Sequence, residues 1–255
     1  MDTYENETAP APGNGLAISA LVLGVLGLVL LPLAVVALVL GIIALTKGQS
    51  KGLAIPGVVL GGLGTLIMPL AIIAAIAIPN LLESRVTSNE AAVSTSLKSG
   101  IFPSQIQFQS GNYVDEDKNG VGENGFITEM SGADSIQGQE SVRLSLLPRT
   151  WSTNDPMMNG YRFALYLPDG AGAVSSRAGI TDHSPEAIKA RENHWIAYAW
   201  PDAWGQNGRR AFAILPNGTV LSTKPSATGS KPAWNSALSN GWGSQPSAEW
   251  TPYRR

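Results

Sequence analysis

The sequence predicts a membrane-anchored α+β protein: a two-helix transmembrane hairpin, then a long helix packed on an antiparallel sheet of about four strands. Three observations predict it. Two uncharged apolar blocks fill residues 16–45 and 53–82. An amphipathic stretch follows them directly. Beyond it, strand-like runs alternate with turns rich in Pro, Asp, Asn and Gly.

The chain has 255 residues and a net charge of −2, so nothing in it suits a polyanionic partner such as nucleic acid. It has no cysteine, which excludes disulfides, thiolate metal sites and a cysteine nucleophile. Residues 1–14 form an acidic tail with Asp2, Glu5 and Glu7 and no base, expected to be disordered. No charge then appears until Lys47, and none between Lys51 and Glu83. Each apolar block has 30 residues, and about 20 suffice to cross a bilayer. Residues 15–82 are therefore expected to be a helical hairpin in lipid. An acidic start and long apolar blocks do not suit a signal peptide.

The two blocks are copies offset by 37 residues. Gly15-Leu16-Ala17-Ile18 matches Gly52-Leu53-Ala54-Ile55, and Pro32-Leu33-Ala34 matches Pro69-Leu70-Ala71. Ala17, Ala20, Gly24 and Gly27 lie at i, i+3, i+7 and i+10, as do Ala54, Gly57, Gly61 and Gly64. Such stripes let helix backbones approach closely in lipid, so Ala20, Gly24, Gly57 and Gly61 are expected at a helix–helix contact. Glycine is also simply common in membrane helices, but its recurrence at one spacing favours packing. Pro32 and Pro69 are expected to kink their helices. Lys47 and Lys51 in the connection place it in the cytoplasm by the positive-inside rule. Both termini are then expected outside a bacterial inner membrane. The G-L-A-I-x-x-L-V-L-G-x-L-G block that opens each helix resembles a bacterial two-helix membrane domain of unknown function.

After Pro79-Asn80, expected to interrupt the helix, the run from Leu81 to Gly100 is amphipathic. The stretch Ile73–Arg85, I-A-A-I-A-I-P-N-L-L-E-S-R, followed by Asn89-Glu90-Ala91-Ala92, resembles type IV pilins and the pseudopilins of type II secretion. The resemblance implies a hydrophobic stem, a sheet-bearing head over residues 83–223, and other pilin-like or envelope proteins as partners. The segment Gly64-Thr65-Leu66-Ile67-Met68 lacks the aromatic residue and the glutamate that open a pilin stem. The chain is therefore expected to stay unprocessed in the bilayer.

Within the head, Gly160–Leu167 alternates as a strand and ends at Pro168-Asp169-Gly170. Ser184-Pro185-Glu186 reads as N-cap, first helical residue and first-turn acid of a helix reaching about Glu192. His194–Trp200 is a strand, and Arg209–Leu215 with Thr219–Thr223 forms a hairpin about Pro216-Asn217-Gly218. Residues 224–255 read as an irregular tail in which Trp234, Trp242 and Trp250 recur every eight residues. These indoles either dock sugars or a partner, or pin the tail to the sheet, and pinning is the favoured reading.

Neither a metalloprotease helix, a nucleophile elbow, a P-loop nor a dinucleotide fingerprint occurs. A non-enzymatic structural or scaffolding role is expected, with a calcium- or glycan-binding module as the alternative. The candidate metal site is Asp115, Asp117, Asn119 and Glu123, whose spacing matches the first part of a calcium loop. Phe126 stands where a complete loop needs glutamate, and a solvated acidic turn explains the same residues.

Overall fold

A computed structural model describes residues 13–136 and 143–253. The expected disorder of residues 1–14 falls, but for residues 13 and 14, outside the described residues. The chain divides into two compact units, Met1–Leu81 and Leu82–Arg255.

The first unit is helical: α1 (Gly15–Gly27), α2 (Leu31–Thr46) and the start of α3 (Lys51–Thr95). The first apolar block is thus not the single helix expected. It breaks at Leu28–Leu30 and folds back, so that Gly27 lies against Ala34. Pro32 lies in the first turn of α2, where its missing N–H leaves no helical bond unmade. At the other end, Gln49 Oε1 accepts from the Ala17 N–H at 2.9 Å and Asn14 Oδ1 from the Ser50 N–H at 3.0 Å. These contacts make α1 and α2 antiparallel.

The second block behaves differently. Pro56, Pro69 and Pro79 all lie inside α3, so the expected interruption at Pro79 does not occur. The offset of 37 suggests why the copies differ. Ala34, Ala37, Gly41 and Ala44 are the buried residues of α2, a third small stripe at the same spacing. Their counterparts in the second copy are Ala71, Ala74, Ile78 and Leu81. Two bulky residues replace the small ones needed for close return, and that half of the copy stays extended as helix.

Helical structure runs on through a π-helical segment (Ser96–Ile101) into α4 (Phe102–Ser110). In the second unit, α5 (Ile127–Ser131) and α6 (Pro185–Asn193) accompany seven antiparallel strands: β1 (Met157–Met158), β2 (Tyr161–Asp169), β3 (Gly172–Val174), β4 (Ile196–Pro201), β5 (Phe212–Ile214), β6 (Val220–Ser222) and β7 (Thr251–Pro252). Their order is β1-β2-β4-β5-β6-β7, with β3 paired to β2. The four strands read from the sequence are β2, β4, β5 and β6. The short β1, β3 and β7 widen the sheet beyond that expectation. Ser184 caps α6 as expected, its Oγ accepting from the Ala187 N–H at 3.3 Å.

Period-two alternation gives the sheet two buried faces. Phe163, Leu165, Ala197, Ala199, Phe212 and Ile214 join Val93, Leu97, Ile101 and Phe108 of the helical run in one core. Ala164, Ile196, Tyr198, Trp200, Ala213 and Leu221 face the other way. The C-terminal segment covers them with Ala237, Leu238 and Trp250, and with partly buried Trp234 and Trp242. That segment, expected as an irregular tail, is one layer of the head. Tyr198 fastens it: its hydroxyl donates to the Trp234 carbonyl and accepts from the Ala237 N–H, both at 2.9 Å.

The Asn89-Glu90-Ala91-Ala92 motif has a visible task. Asn89 Nδ2 donates to the Asn207 carbonyl at 2.9 Å, and Glu90 Oε1 accepts from the Arg209 N–H at 2.9 Å. The helix thereby holds the loop that leads into β5.

Candidate functional site

Three places hold the residues singled out by the sequence. The first is the helix contact of the N-terminal unit. Ala20, Gly24, Gly57 and Gly61 are all buried there. Ala20 meets Gly57: a Cβ on Gly57 would fall 2.8 Å from the Ala20 carbonyl carbon. Gly24 packs on Leu60 and Gly57. Gly61, however, lies against α2, where a Cβ would fall 2.5 Å from the Leu38 nitrogen. The stripe of α3 therefore serves two neighbours, not one.

The second place is the acidic run of residues 115–123. Asp115 and Asp117 turn their carboxylates onto their own loop. Asp115 accepts from the N–H groups of Asn119 and Gly120, each at 3.0 Å, and Asp117 accepts from Asn119 at 3.1 Å. Asn119 Nδ2 donates to Glu192 Oε1 at 2.8 Å. Glu123 does not join them. It is 0% exposed, and its Oε2 accepts from Arg191 Nε at 2.9 Å and Arg177 Nη1 at 3.2 Å. The expected four-residue calcium centre is not assembled, and among the described residues no group of three His, Cys, Asp or Glu is placed to hold a metal ion.

What Glu123 joins instead is a buried charge network. Arg191, also 0% exposed, donates to Glu116 Oε2 at 3.0 Å and the Asp182 carbonyl at 2.8 Å. Arg177 pairs twice with Glu129, both bonds at 2.9 Å, and its guanidinium lies over the Phe126 ring. His183 Nδ1 contacts Glu116 at the exposed rim. Arginine cannot lose its proton in proteins, so this cluster holds α6 and the segment around residue 177 onto residues 116–129. No local pattern marks Arg177 or Arg191, because their carboxylate partners lie 48 to 75 residues away.

The third place is a cleft of about 200 Å³ lined by Asn193, His194, Trp195, Asn217, Trp242 and Ser244, among others. Trp242 stacks on Trp234 with ring centroids 4.9 Å apart, and its Nε1 donates to the Gly172 carbonyl at 3.0 Å. Burial holds the His194 imidazole below its ordinary pKa. The lining offers amides, a hydroxyl and an imidazole, with no carboxylate beside them. That set can hydrogen-bond and stack.

No protein-family model, curated protein or solved structure matches the chain.

Proposed function

We propose that this protein is a non-enzymatic, membrane-anchored envelope protein whose pilin-like head has a structural or scaffolding role. One observation carries the reading: helix runs from Lys51 to Ser110, and its most apolar window has a mean hydropathy of 2.3 and is only 11% buried. From Thr65 to Leu82 no residue is buried, although nearly all are apolar. Ile72, Ile73, Ile76 and Ile78 are each more than half exposed. Apolar surface on every side of a helix suits hydrocarbon, not water. Lys51 stands at one end of this stretch and Glu83 with Arg85 at the other, as polar flanks of a span do. The stem, the motif at Asn89–Ala92 and the antiparallel sheet support the likeness to pilins and pseudopilins.

The test is alkaline carbonate extraction of bacterial membranes carrying the full chain. The protein should stay with the lipid pellet, and quantitative release into the supernatant would remove the anchored reading.

The cleft at His194 and Trp242 favours a second reading, a head that binds glycans by stacking and amide hydrogen bonds. Binding on a glycan array that is lost in Trp242→Ala would support it.

A further inference from the structure

We infer that the first apolar block does not cross the bilayer but enters it and returns, leaving residues 13–14 and the Lys47–Lys51 connection on the same side. The inference rests on the anchored reading above.

Length comes first. The 13 residues of α1 and the 16 of α2 extend about 20 and 24 Å at 1.5 Å per residue. The hydrocarbon core is about 30 Å thick. Neither helix crosses it alone.

Direction comes second. The two helices meet at both ends of a hairpin. Gly27 abuts Ala34 at the closed end, and Asn14 and Ala17 are hydrogen-bonded to Ser50 and Gln49 at the open end. A chain that crossed from residue 15 to residue 46 would hold these ends apart.

The turn itself is the third observation. Leu28, Val29, Leu30, Leu31 and Pro32 contain no polar side chain, and Val29 is 83% exposed. A turn that faced water would use Gly, Asn, Asp or Ser. Most of the turn's N–H groups are also paired within it. The N–H of Leu28 donates to Val25, those of Val29 and Leu30 to Leu26, and that of Leu33 to Leu30. Pro32 has no N–H to satisfy. Such internal pairing is what backbone at hydrocarbon depth calls for.

The small stripes are the fourth. Ala34, Ala37, Gly41 and Ala44 pack inward, leaving Val35, Val36, Val39, Ile42 and Ile43 on the outer surface. The repeated copy has Ile78 and Leu81 in place of Gly41 and Ala44, and it does not fold back. α3 then makes the single crossing. With the connection cytoplasmic by Lys47 and Lys51, the N-terminal side is cytoplasmic too. This reverses the orientation expected for that end from the sequence.

The chain has no cysteine, so single cysteines report cleanly. Gly13→Cys, Ser50→Cys and Ser230→Cys are placed one at a time in the full chain. A side chain at position 13 would meet open space, and Ser50 and Ser230 are exposed, so folding should survive. Cells with a permeable outer membrane are treated with a membrane-impermeant maleimide before and after inner-membrane lysis. Ser230 should label before lysis, and Gly13 and Ser50 only after it. Labelling of Gly13 together with Ser230 in intact cells, with Ser50 protected, would overturn the inference and restore two crossings. If the protein is instead released by carbonate, the anchored reading fails and this inference fails with it. Retention in the pellet with early Gly13 labelling sinks the inference alone.

Discussion

The side-chain oxygen of Gln49 caps the backbone of a different helix: it accepts from the Ala17 N–H at 2.9 Å, in the first turn of α1. The residue before that helix, Asn14, does not cap it and instead accepts from the Ser50 N–H at 3.0 Å. The two amide side chains thus exchange partners across the open end of the hairpin. Ala17 is fully buried, so losing its acceptor leaves an unpaired donor worth about 1–3 kcal/mol. Gln49→Ala should speed hydrogen exchange in the peptide covering residues 15–27, measured by mass spectrometry on the detergent-solubilised chain. Unchanged exchange would show that the bond does not hold the hairpin shut.

Close packing at Gly61 predicts a position-specific effect. A Cβ at Gly61 would meet the Leu38 backbone at 2.5 Å, whereas one at the adjacent Gly62 would find only the Leu38 side chain at 3.9 Å. Gly61→Val should therefore separate α2 from α3 and expose residues 31–46 to protease, while Gly62→Ala should behave as the native protein. Equal behaviour of the two variants would refute the close approach.

The buried charge network predicts an asymmetry. Arg191→Met removes the closer of two guanidinium partners from the Glu123 carboxylate, which is fully buried and has one oxygen without a hydrogen-bond partner, and leaves it only Arg177 at 3.2 Å. Breaking such a pair costs about 3–5 kcal/mol. Replacing both, as Arg191→Met with Glu123→Met, should recover a large part of the loss. All seven tryptophans lie between residues 151 and 250, so intrinsic fluorescence reports melting of the head in the full chain. A double variant no better than the single one would mean that Arg191 acts through its contacts with Glu116 and Asp182 instead.

His194 gives a pH dependence with a definite sign. Burial lowers its pKa in the folded state below the ordinary 6.5. The neutral form is thus favoured by folding. Its contribution is present above the ordinary histidine pKa and is lost as pH falls through the lowered native value. Melting followed from pH 7.5 downward should show a decline beginning below about 6.5 that is shallower in His194→Gln. Parallel curves for the two proteins would remove the assignment.

Tyr198 ties the C-terminal layer to the sheet. Burial pushes its phenol pKa up, consistent with a neutral hydroxyl serving two backbone groups. Tyr198→Phe leaves the buried Ala237 N–H without its acceptor, at about 1–3 kcal/mol. Limited proteolysis should then cut first within residues 224–247.

Local chemistry makes much of the head readable. Ser184-Pro185-Glu186 opens α6, and Pro216-Asn217-Gly218 turns β5 into β6, because capping and turn preferences act within four residues. Residues whose meaning depends on distant partners are not readable in this way. Glu123 has the spacing of a loop ligand, yet its carboxylate answers to arginines 54 and 68 positions away. The same limit hides the break in the first apolar block. Hydropathy is identical whether such a block runs straight or doubles back. Only the small stripe at Ala34, Ala37, Gly41 and Ala44 distinguishes the two, and its partners are on other helices.

The pairing of β7 with β6 has a consequence for biosynthesis. Thr251 and Pro252 join Ser222 and Leu221, and Trp234, Trp242 and Trp250 roof the sheet beside them. The helix that supports the opposite face is translated more than a hundred residues earlier. During synthesis the nascent head must therefore wait with one side of its sheet bare, displaying Tyr198, Trp200 and Leu221. Holdase chaperones recognise that kind of surface, and the last thirty or so residues decide whether it is hidden or handed to a protease.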